Sequence, residues 1–144
     1  MKKIKIYPKR ERYLYSMQGF FTNRRWCLKH EFCEGVIEEE LNPSPLRADI
    51  FEVCKRAFDD AVELTPSKYL VDTSQFQQGN YARRYEHDGE VLKWVYIDEI
   101  FHLMFQKAKA YNFKFFGSTK DRPILITTQD NEFVGVVMGM RVVE

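Results

Sequence analysis

The chain of 144 residues has the length of one domain, and its 44% hydrophobic and 15% aromatic residues can form a core, which excludes disordered, collagen-like and low-complexity classes. No apolar run reaches the roughly 18 residues of a membrane-spanning helix, and the lysine-rich start does not lead into a signal sequence. Three cysteines are too few for a disulfide framework, so we expect one cytoplasmic domain, 1–144, without membrane association.

Positive charge is concentrated at the N-terminus, although the net charge of the whole chain is only +1. Residues 1–30 contain nine basic residues and one acidic residue, which leaves +8. Residues 31–65 contain ten acidic and three basic residues, which leaves −7. The predicted domain therefore has four parts: basic aromatic strands (1–33), an acidic strand and helix (34–65), strands with a second helix (66–111) and a C-terminal meander (112–144).

The first half of the chain is predicted to form short strands and one helix. Alternating or aromatic-rich patterns predict strands at residues 3–7, 13–21, 25–32 and 36–41. Asn42 and the prolines after it are typical of a helix start, and apolar residues recur at helical spacing as far as Leu64. This pattern predicts a helix over residues 44–64 that ends before Pro66.

The second half is predicted to contain a second helix between groups of strands. Strands are predicted at residues 68–77, 80–87, 91–97, 112–116, 123–128 and 133–143. Asp98 can cap a helix in which Ile100, Phe101, Met104 and Phe105 lie on one apolar stripe. Because strands and helices are grouped and do not alternate, we predict an α+β fold with a largely antiparallel sheet and two helices.

Candidate metal ligands and catalytic groups form no recognisable motif. Cys27, His30 and Cys33 recur at three-residue steps, but on a strand the cysteines face one side and the histidine the other. Neither His87 nor His102 has a nucleophilic residue at an interpretable spacing, and no phosphate-binding glycine loop occurs. We predict no metal, cofactor or catalytic residue. The alternative is a small enzyme, which a deep pocket with one of these two histidines beside a carboxylate would reveal.

The N-terminal segment combines the two ingredients of a nucleic-acid surface. Its arginines can pair with phosphates, and its aromatic rings can stack on bases. The predicted nucleic-acid-binding residues are Arg10, Arg12, Tyr13, Tyr15, Arg24, Arg25 and Trp26. A competing interpretation is that these aromatics are core-facing strand residues beside the acidic stretch.

These patterns favour a non-catalytic binding module that takes part in nucleic-acid transactions with DNA or RNA. The alternative is a protein–protein interaction or inhibitor protein without nucleic-acid contact. In that case its oppositely charged regions would dock on a partner or on a second copy, as a homo-oligomer.

The C-terminal third carries a family resemblance. It contains the strand 94–97 that enters a helix at Asp98, the strand from Pro123 to Ile126, and the terminal Val136 to Val142. This arrangement resembles the closing unit of the bacterial DNA polymerase III β sliding clamp. The resemblance implies a clamp-like pair of strand–helix–strands units with DNA-handling proteins as partners. It also implies a hydrophobic peptide groove that includes Met138, Met140 and Arg141.

Overall fold

The computed structural model describes residues 3–8, 13–44, 58–59, 61–73, 81–87, 93–108, 112–118, 123–140 and 142. More than half of these residues lie in strands. The strands are β1 (Ile4–Lys5), β2 (Tyr15–Met17), β3 (Phe20–Thr22), β4 (Trp26–Lys29), β5 (Cys33–Glu34), β6 (Asn42–Pro43), β7 (Val62–Asp72), β8 (Tyr81–His87), β9 (Lys93–Asp98), β10 (Lys114–Gly117), β11 (Ile124–Thr127) and β12 (Phe133–Val137). The α-helix of the described residues, α1, spans Glu99–Lys107.

Ten of the strands form one mixed sheet in the order β6-β2-β3-β4-β12-β11-β10-β7-β8-β9. Neighbours in this sheet pair antiparallel, except that β2 and β6 are parallel. Strands β1 and β5 form a separate parallel pair.

One end of this sheet returns to its middle. The amide nitrogen of Met140, three residues after β12, donates a hydrogen bond of 2.6 Å to the carbonyl oxygen of Tyr96 in the edge strand β9. The strands from β12 to β9 in the sheet order therefore form a ring of six, which this bridge closes.

The buried apolar side chains of the sheet and of α1 form one cluster. Leu28, Ile126 and Val134 come from the sheet, while Phe101 and Phe105 come from the helix. Burying each such side chain contributes about 1.5 to 3 kcal/mol to folding. Helix α1 is thus anchored on the sheet by one face.

Strands β4 and β12 approach each other closely at Gly135, which pairs with Leu28. A Cβ atom at this position would overlap the carbonyl oxygen of Cys27. Only glycine fits there, because the obstructing atom belongs to the backbone of the neighbouring strand.

The predicted α+β fold with two helices is wrong. The described residues form a mostly β structure around one large mixed sheet, with α1 as their only α-helix. The predicted helix 44–64 falls largely outside these residues, and its end is strand β7. Val62 and Leu64 fit the two-residue period of a strand as well as a helical stripe, and pairing with β10 decides between the two. The described residues also do not form the pair of strand–helix–strands units that the clamp resemblance implies.

Two further differences have local causes. The predicted strand 36–41 contains a 3-10 helix at Glu38–Glu40, because three successive glutamates cannot alternate between core and solvent. The predicted strand 13–21 is divided into β2 and β3 by a turn at Gln18 and Gly19, where Gly19 has a φ of +85°.

Several local predictions are confirmed. Helix α1 begins where expected, since the Oδ1 atom of Asp98 accepts a hydrogen bond of 3.0 Å from the amide of Ile100. The three C-terminal strands are also present, as β10, β11 and β12, although β12 ends at Val137 and not at residue 143 as predicted.

In the part of the chain that the structure describes, no helix has the length and apolar character needed to cross a membrane.

Candidate functional site

A cleft of about 370 Å³ lies between the N-terminal strands and α1, and we call it the N-terminal cleft. It is lined by Lys5, Tyr7, Tyr13, Asn23, Arg25, Asp98, Ile100, Phe101, Leu103, Met104 and Lys107. Tyr7 and Tyr13 are 44% and 46% exposed, so each presents part of an aromatic ring to solvent. The cleft therefore combines aromatic surface with three cationic side chains.

The turn between β3 and β4 directs two arginines to this region. The Oδ1 atom of Asn23 accepts hydrogen bonds of 2.9 Å from the amides of Arg25 and Trp26, which fixes the turn. Arg24, at a φ of +73°, places its guanidinium carbon 5.2 Å from the ring centre of Tyr13 and 5.5 Å from that of Tyr15. These are cation–π distances, so the exposed Arg24 extends the cleft beyond Tyr13.

Arg25 contacts the N-terminal end of α1 on the other side of the same cleft. Its Nη2 atom lies 3.2 Å from Oδ2 of Asp98, and its guanidinium carbon lies 4.9 Å from the ring centre of Phe101. The Arg25 side chain is 49% exposed, whereas that of Asp98 is 2% exposed. Part of the Arg25 charge is thus neutralised, and the arginine also links the turn to the start of α1.

The structure brings together four of the predicted nucleic-acid-binding residues, Tyr13, Tyr15, Arg24 and Arg25. Trp26 is 2% exposed and lies in the core cluster, as the competing interpretation had it. Arg10 and Arg12 lie outside the described residues.

Most of the other cleft residues, among them Lys5, Tyr7 and Lys107, were not predicted as site residues from the sequence. Lys5 and Tyr7 are two residues apart, so the alternation of the predicted strand 3–7 could have placed them on one face. In the structure the Lys5 Nζ atom is 5.4 Å from the Tyr7 ring centre. Lys107, in the last turn of α1, could not have been found, because no local pattern indicates that this helix packs against the N-terminus.

Two of the residues predicted for a peptide groove, Met138 and Met140, lie near the bridge that closes the ring. The amide of Met138 donates to the carbonyl oxygen of Arg25 at 2.7 Å, and Met140 forms the bridge to Tyr96. Met138 is exposed and Met140 is half-buried, while Arg141 lies outside the described residues. The groove stays a prediction.

A second cleft of about 790 Å³ lies between β7, β8, β10 and the C-terminal half of α1, and we call it the His102 cleft. Its buried lining includes Leu64, Tyr85, His102, Phe105, Ala108 and Phe115, and its exposed rim includes Glu63, Lys68, Gln106, Asn112 and Gln129.

Two titratable side chains share a hydrogen bond in this second cleft. The Oη atom of Tyr85 and the Nδ1 atom of His102 are 2.7 Å apart. Burial raises the pKa of Tyr85, and burial also lowers the pKa of His102, against a smaller opposing effect of the Glu99 charge. Both side chains are therefore neutral at pH 7.

An ion pair lies beside these two side chains. The Nε and Nη2 atoms of Arg83 donate to the two carboxylate oxygens of Glu99 at 2.8 and 2.6 Å, and this bond raises the pKa of Arg83. Its Nη1 atom donates to the carbonyl oxygen of Ser67 at 3.1 Å. Ser67 lies where β7 shifts its register against β8, so Arg83 ties this irregular wall of the cleft to α1.

The alternative of a small enzyme predicts a pocket that holds His87 or His102 beside a carboxylate. His102 lines the cleft, but the nearby carboxylate of Glu99 accepts hydrogen bonds from the Nε and Nη2 atoms of Arg83. The Ser67 hydroxyl donates to the carbonyl oxygen of Arg84, so it is not bonded to an imidazole that could activate it. His87 is bonded through Nδ1 to the carbonyl oxygen of Glu63.

The described residues include no group of three or more His, Cys, Asp or Glu side chains that could hold a metal ion. Cys27 and Cys33 are buried thiols outside any disulfide bond, and burial raises the pKa of Cys33 to about 12. A thiol with so high a pKa is a weak nucleophile and a weak metal ligand.

Comparison of the chain with models of known protein families, with curated proteins and with solved structures finds no match.

Proposed function

We propose that this protein is a non-catalytic binding module that holds single-stranded nucleic acid, DNA or RNA, in the N-terminal cleft. The observation that carries the proposal is that two half-exposed tyrosines and three cations line one small cleft, with Arg24 stacked beside it. Aromatic platforms next to a basic track are the common means of binding single strands.

Charge in and beside the cleft favours an anionic ligand. Lys5, Arg24, Arg25 and Lys107 are exposed cations, whereas Asp98 is the carboxylate that lines the cleft. Phosphates neutralised by such cations release counterions, so affinity should fall steeply as salt increases.

The apolar wall of the cleft favours an unpaired base over a duplex. Ile100 and Leu103 of α1 are 57% and 42% exposed, opposite the tyrosine side of the cleft. An unstacked base can place its faces against such rings and apolar side chains, whereas the bases of a duplex are already stacked on each other. Single strands therefore suit this cleft better than double strands.

The test measures binding of fluorescent oligonucleotides of about 12 nucleotides, single-stranded DNA and RNA, by anisotropy between about 50 and 200 mM salt. Tyr13→Ala should weaken binding about tenfold through lost stacking. Arg24→Ala should reduce the salt slope by about one. Asp98→Asn, which removes the carboxylate that neutralises Arg25, should strengthen binding at low salt.

The matched controls are Tyr69→Ala and Arg84→Ala. Tyr69 is as exposed as Tyr13, and Arg84 stacks on it at 4.7 Å, but neither residue lines the N-terminal cleft. Absence of binding at low salt, a flat salt response, or equal losses in the controls and the cleft variants would each refute the proposal.

The exposed Ile100 and Leu103 also favour a second candidate, an acidic and partly apolar peptide of a protein partner, or a second copy of the chain. Size-exclusion chromatography at low and high salt tests the second copy, because association through opposite charges weakens as salt increases. This candidate would be favoured if the wild type self-associates without binding any oligonucleotide, and if the Ile100→Asp variant does not self-associate.

A further inference from the structure

The His102 cleft has no role in the function proposed above, yet it has the dimensions of a ligand site. Its volume of about 790 Å³ is more than twice that of the N-terminal cleft. Sites for small organic molecules range from about 300 to 1,000 Å³ and combine an apolar lining with a few polar groups.

The apolar lining includes three aromatic rings that pack against one another. The ring centres of Tyr85 and Phe115 are 5.0 Å apart at an interplanar angle of 89°, and those of Phe105 and Phe115 are 5.8 Å apart at 65°. This edge-to-face packing fixes the rings, so the lining is preorganised. A flat aromatic ligand can pack against it without rearrangement.

The polar pair Tyr85 and His102 has hydrogen-bonding capacity to spare. A neutral phenol and a neutral imidazole bring two donors between them, and the bond from Oη to Nδ1 uses one. Whichever tautomer is present, one donor and at least one acceptor remain. Both residues line the cleft, so the remaining donor and acceptor suit a ring edge that carries both, as heteroaromatic bases do.

The charged lining of the cleft is more basic than acidic. Lys68 and Lys114 line it together with Glu63, while the charge of Arg83 is neutralised by Glu99. The Nζ atom of Lys114 donates to Oδ1 of Asn131 at 3.1 Å, which restrains the ammonium group. Two ammonium groups against one carboxylate favour a ligand with an acidic group.

We propose that the His102 cleft is a binding site for a small heteroaromatic ligand that carries an acidic group, of the class represented by nucleoside monophosphates. The ring packs against the phenylalanines and hydrogen-bonds to Tyr85 and His102, while the acidic group pairs with Lys68 and Lys114. This proposal does not rest on the function proposed for the N-terminal cleft.

Isothermal titration of the full chain with the four ribonucleoside 5′-monophosphates, with the corresponding nucleosides and with inorganic phosphate tests this site. At least one monophosphate should bind, and more tightly than its nucleoside or phosphate alone. Tyr85→Phe, which removes only the hydroxyl, should weaken binding about tenfold. Lys68→Ala, at an exposed position, should weaken the monophosphate severalfold and leave nucleoside binding unchanged.

Tyr13→Ala is the control that separates the two clefts, because Tyr13 lines only the N-terminal one. Monophosphate binding that survives Tyr13→Ala and is lost in Tyr85→Phe supports the second site, whatever the oligonucleotide experiment gives. No binding of any monophosphate at millimolar concentration would overturn it. Equal affinity for phosphate alone, or binding that depends on Tyr13 and not on Tyr85, would overturn it as well.

Discussion

Asp98 illustrates how one buried carboxylate can serve a helix and a cleft together. Its Oδ1 atom caps α1 through the amide of Ile100, and its Oδ2 atom binds Arg25 from the β3–β4 turn. Capping side chains contribute about 1 kcal/mol to stability. The ion pair with Arg25 offsets the cost of removing the Asp98 carboxylate from water. The sequence indicated the first role, since capping is local, and not the second, which joins residues far apart in the chain.

Protonation of His102 is expected to destabilise the protein in mild acid. Burial lowers its pKa in the folded protein below the ordinary value of 6.5, so the unfolded chain takes up the proton at a higher pH. Neutral His102 therefore does not reduce stability above about pH 6.5. As the pH falls from there through the lowered pKa of His102 in the folded protein, the free energy of unfolding decreases by at most about 1.4 kcal/mol per pH unit. The charged groups nearby are Glu99, which opposes the shift, and Arg83, which adds to it.

Urea unfolding at about pH 7.5 and 5.5 measures this effect. In the His102→Gln variant the decrease in stability between the two pH values should become smaller. The control is His87→Gln, because His87 is half-buried and its ring is bonded to a backbone carbonyl. Identical pH dependence in the wild type and the His102 variant would contradict the assignment.

At the scale of single elements, α1 and the C-terminal strands were predictable because their signals are local. Asp98 caps the helix, apolar residues recur along one of its faces, and β10 to β12 are short apolar runs between turns. The prediction of a strand at 36–41 was wrong because three successive exposed glutamates, Glu38–Glu40, form a 3-10 helix between its apolar ends. The start of β7 was mistaken for a helix end because its partner β10 lies some fifty residues later in the chain.

The pairing of β4 with β12 requires glycine at position 135, because a side chain there would overlap the backbone of β4. Gly135→Ala should destabilise the protein by about 2 to 3 kcal/mol, because the added methyl group meets the backbone carbonyl of Cys27 and the strands must separate.

Thermal and urea unfolding measure this loss, with Gly19→Ala as the control. Gly19 has open space around its Cα but a φ of +85°, so its replacement should cost only about 1 kcal/mol. An equal or smaller loss at Gly135 would show that the two strands can move apart easily.

At the scale of the whole molecule, the strand order could not be predicted. The sheet joins β4 to β12 and β10 to β7, and these pairings bring together distant parts of the chain that carry no mutual signal. The two clefts follow from this order. The composition near the N-terminus indicated four residues in or beside the first cleft, Tyr13, Tyr15, Arg24 and Arg25. It did not indicate that α1 contributes to the same cleft. Tyr85 and His102 meet only because β8 packs against α1.

The closure of the six-strand ring is expected to depend on the amide of Met140. Met140→Pro removes the donor of the hydrogen bond to Tyr96 and should lower stability by about 1 to 2 kcal/mol. Met140→Leu keeps the amide and a side chain of similar volume, so it should have little effect. Hydrogen exchange should show faster exchange along β9 in the proline variant. Unchanged protection of β9 would mean that the bridge does not hold this edge.

Helix α1 is a wall shared by both clefts. Ile100, Leu103 and Lys107 belong to the N-terminal cleft, while His102 and Gln106 belong to the other. Because both clefts share this nine-residue helix, an occupant that displaced it on one side would also alter the lining of the opposite cleft. Thermodynamic reciprocity then requires that any cooperativity between the two occupants be equal in both directions.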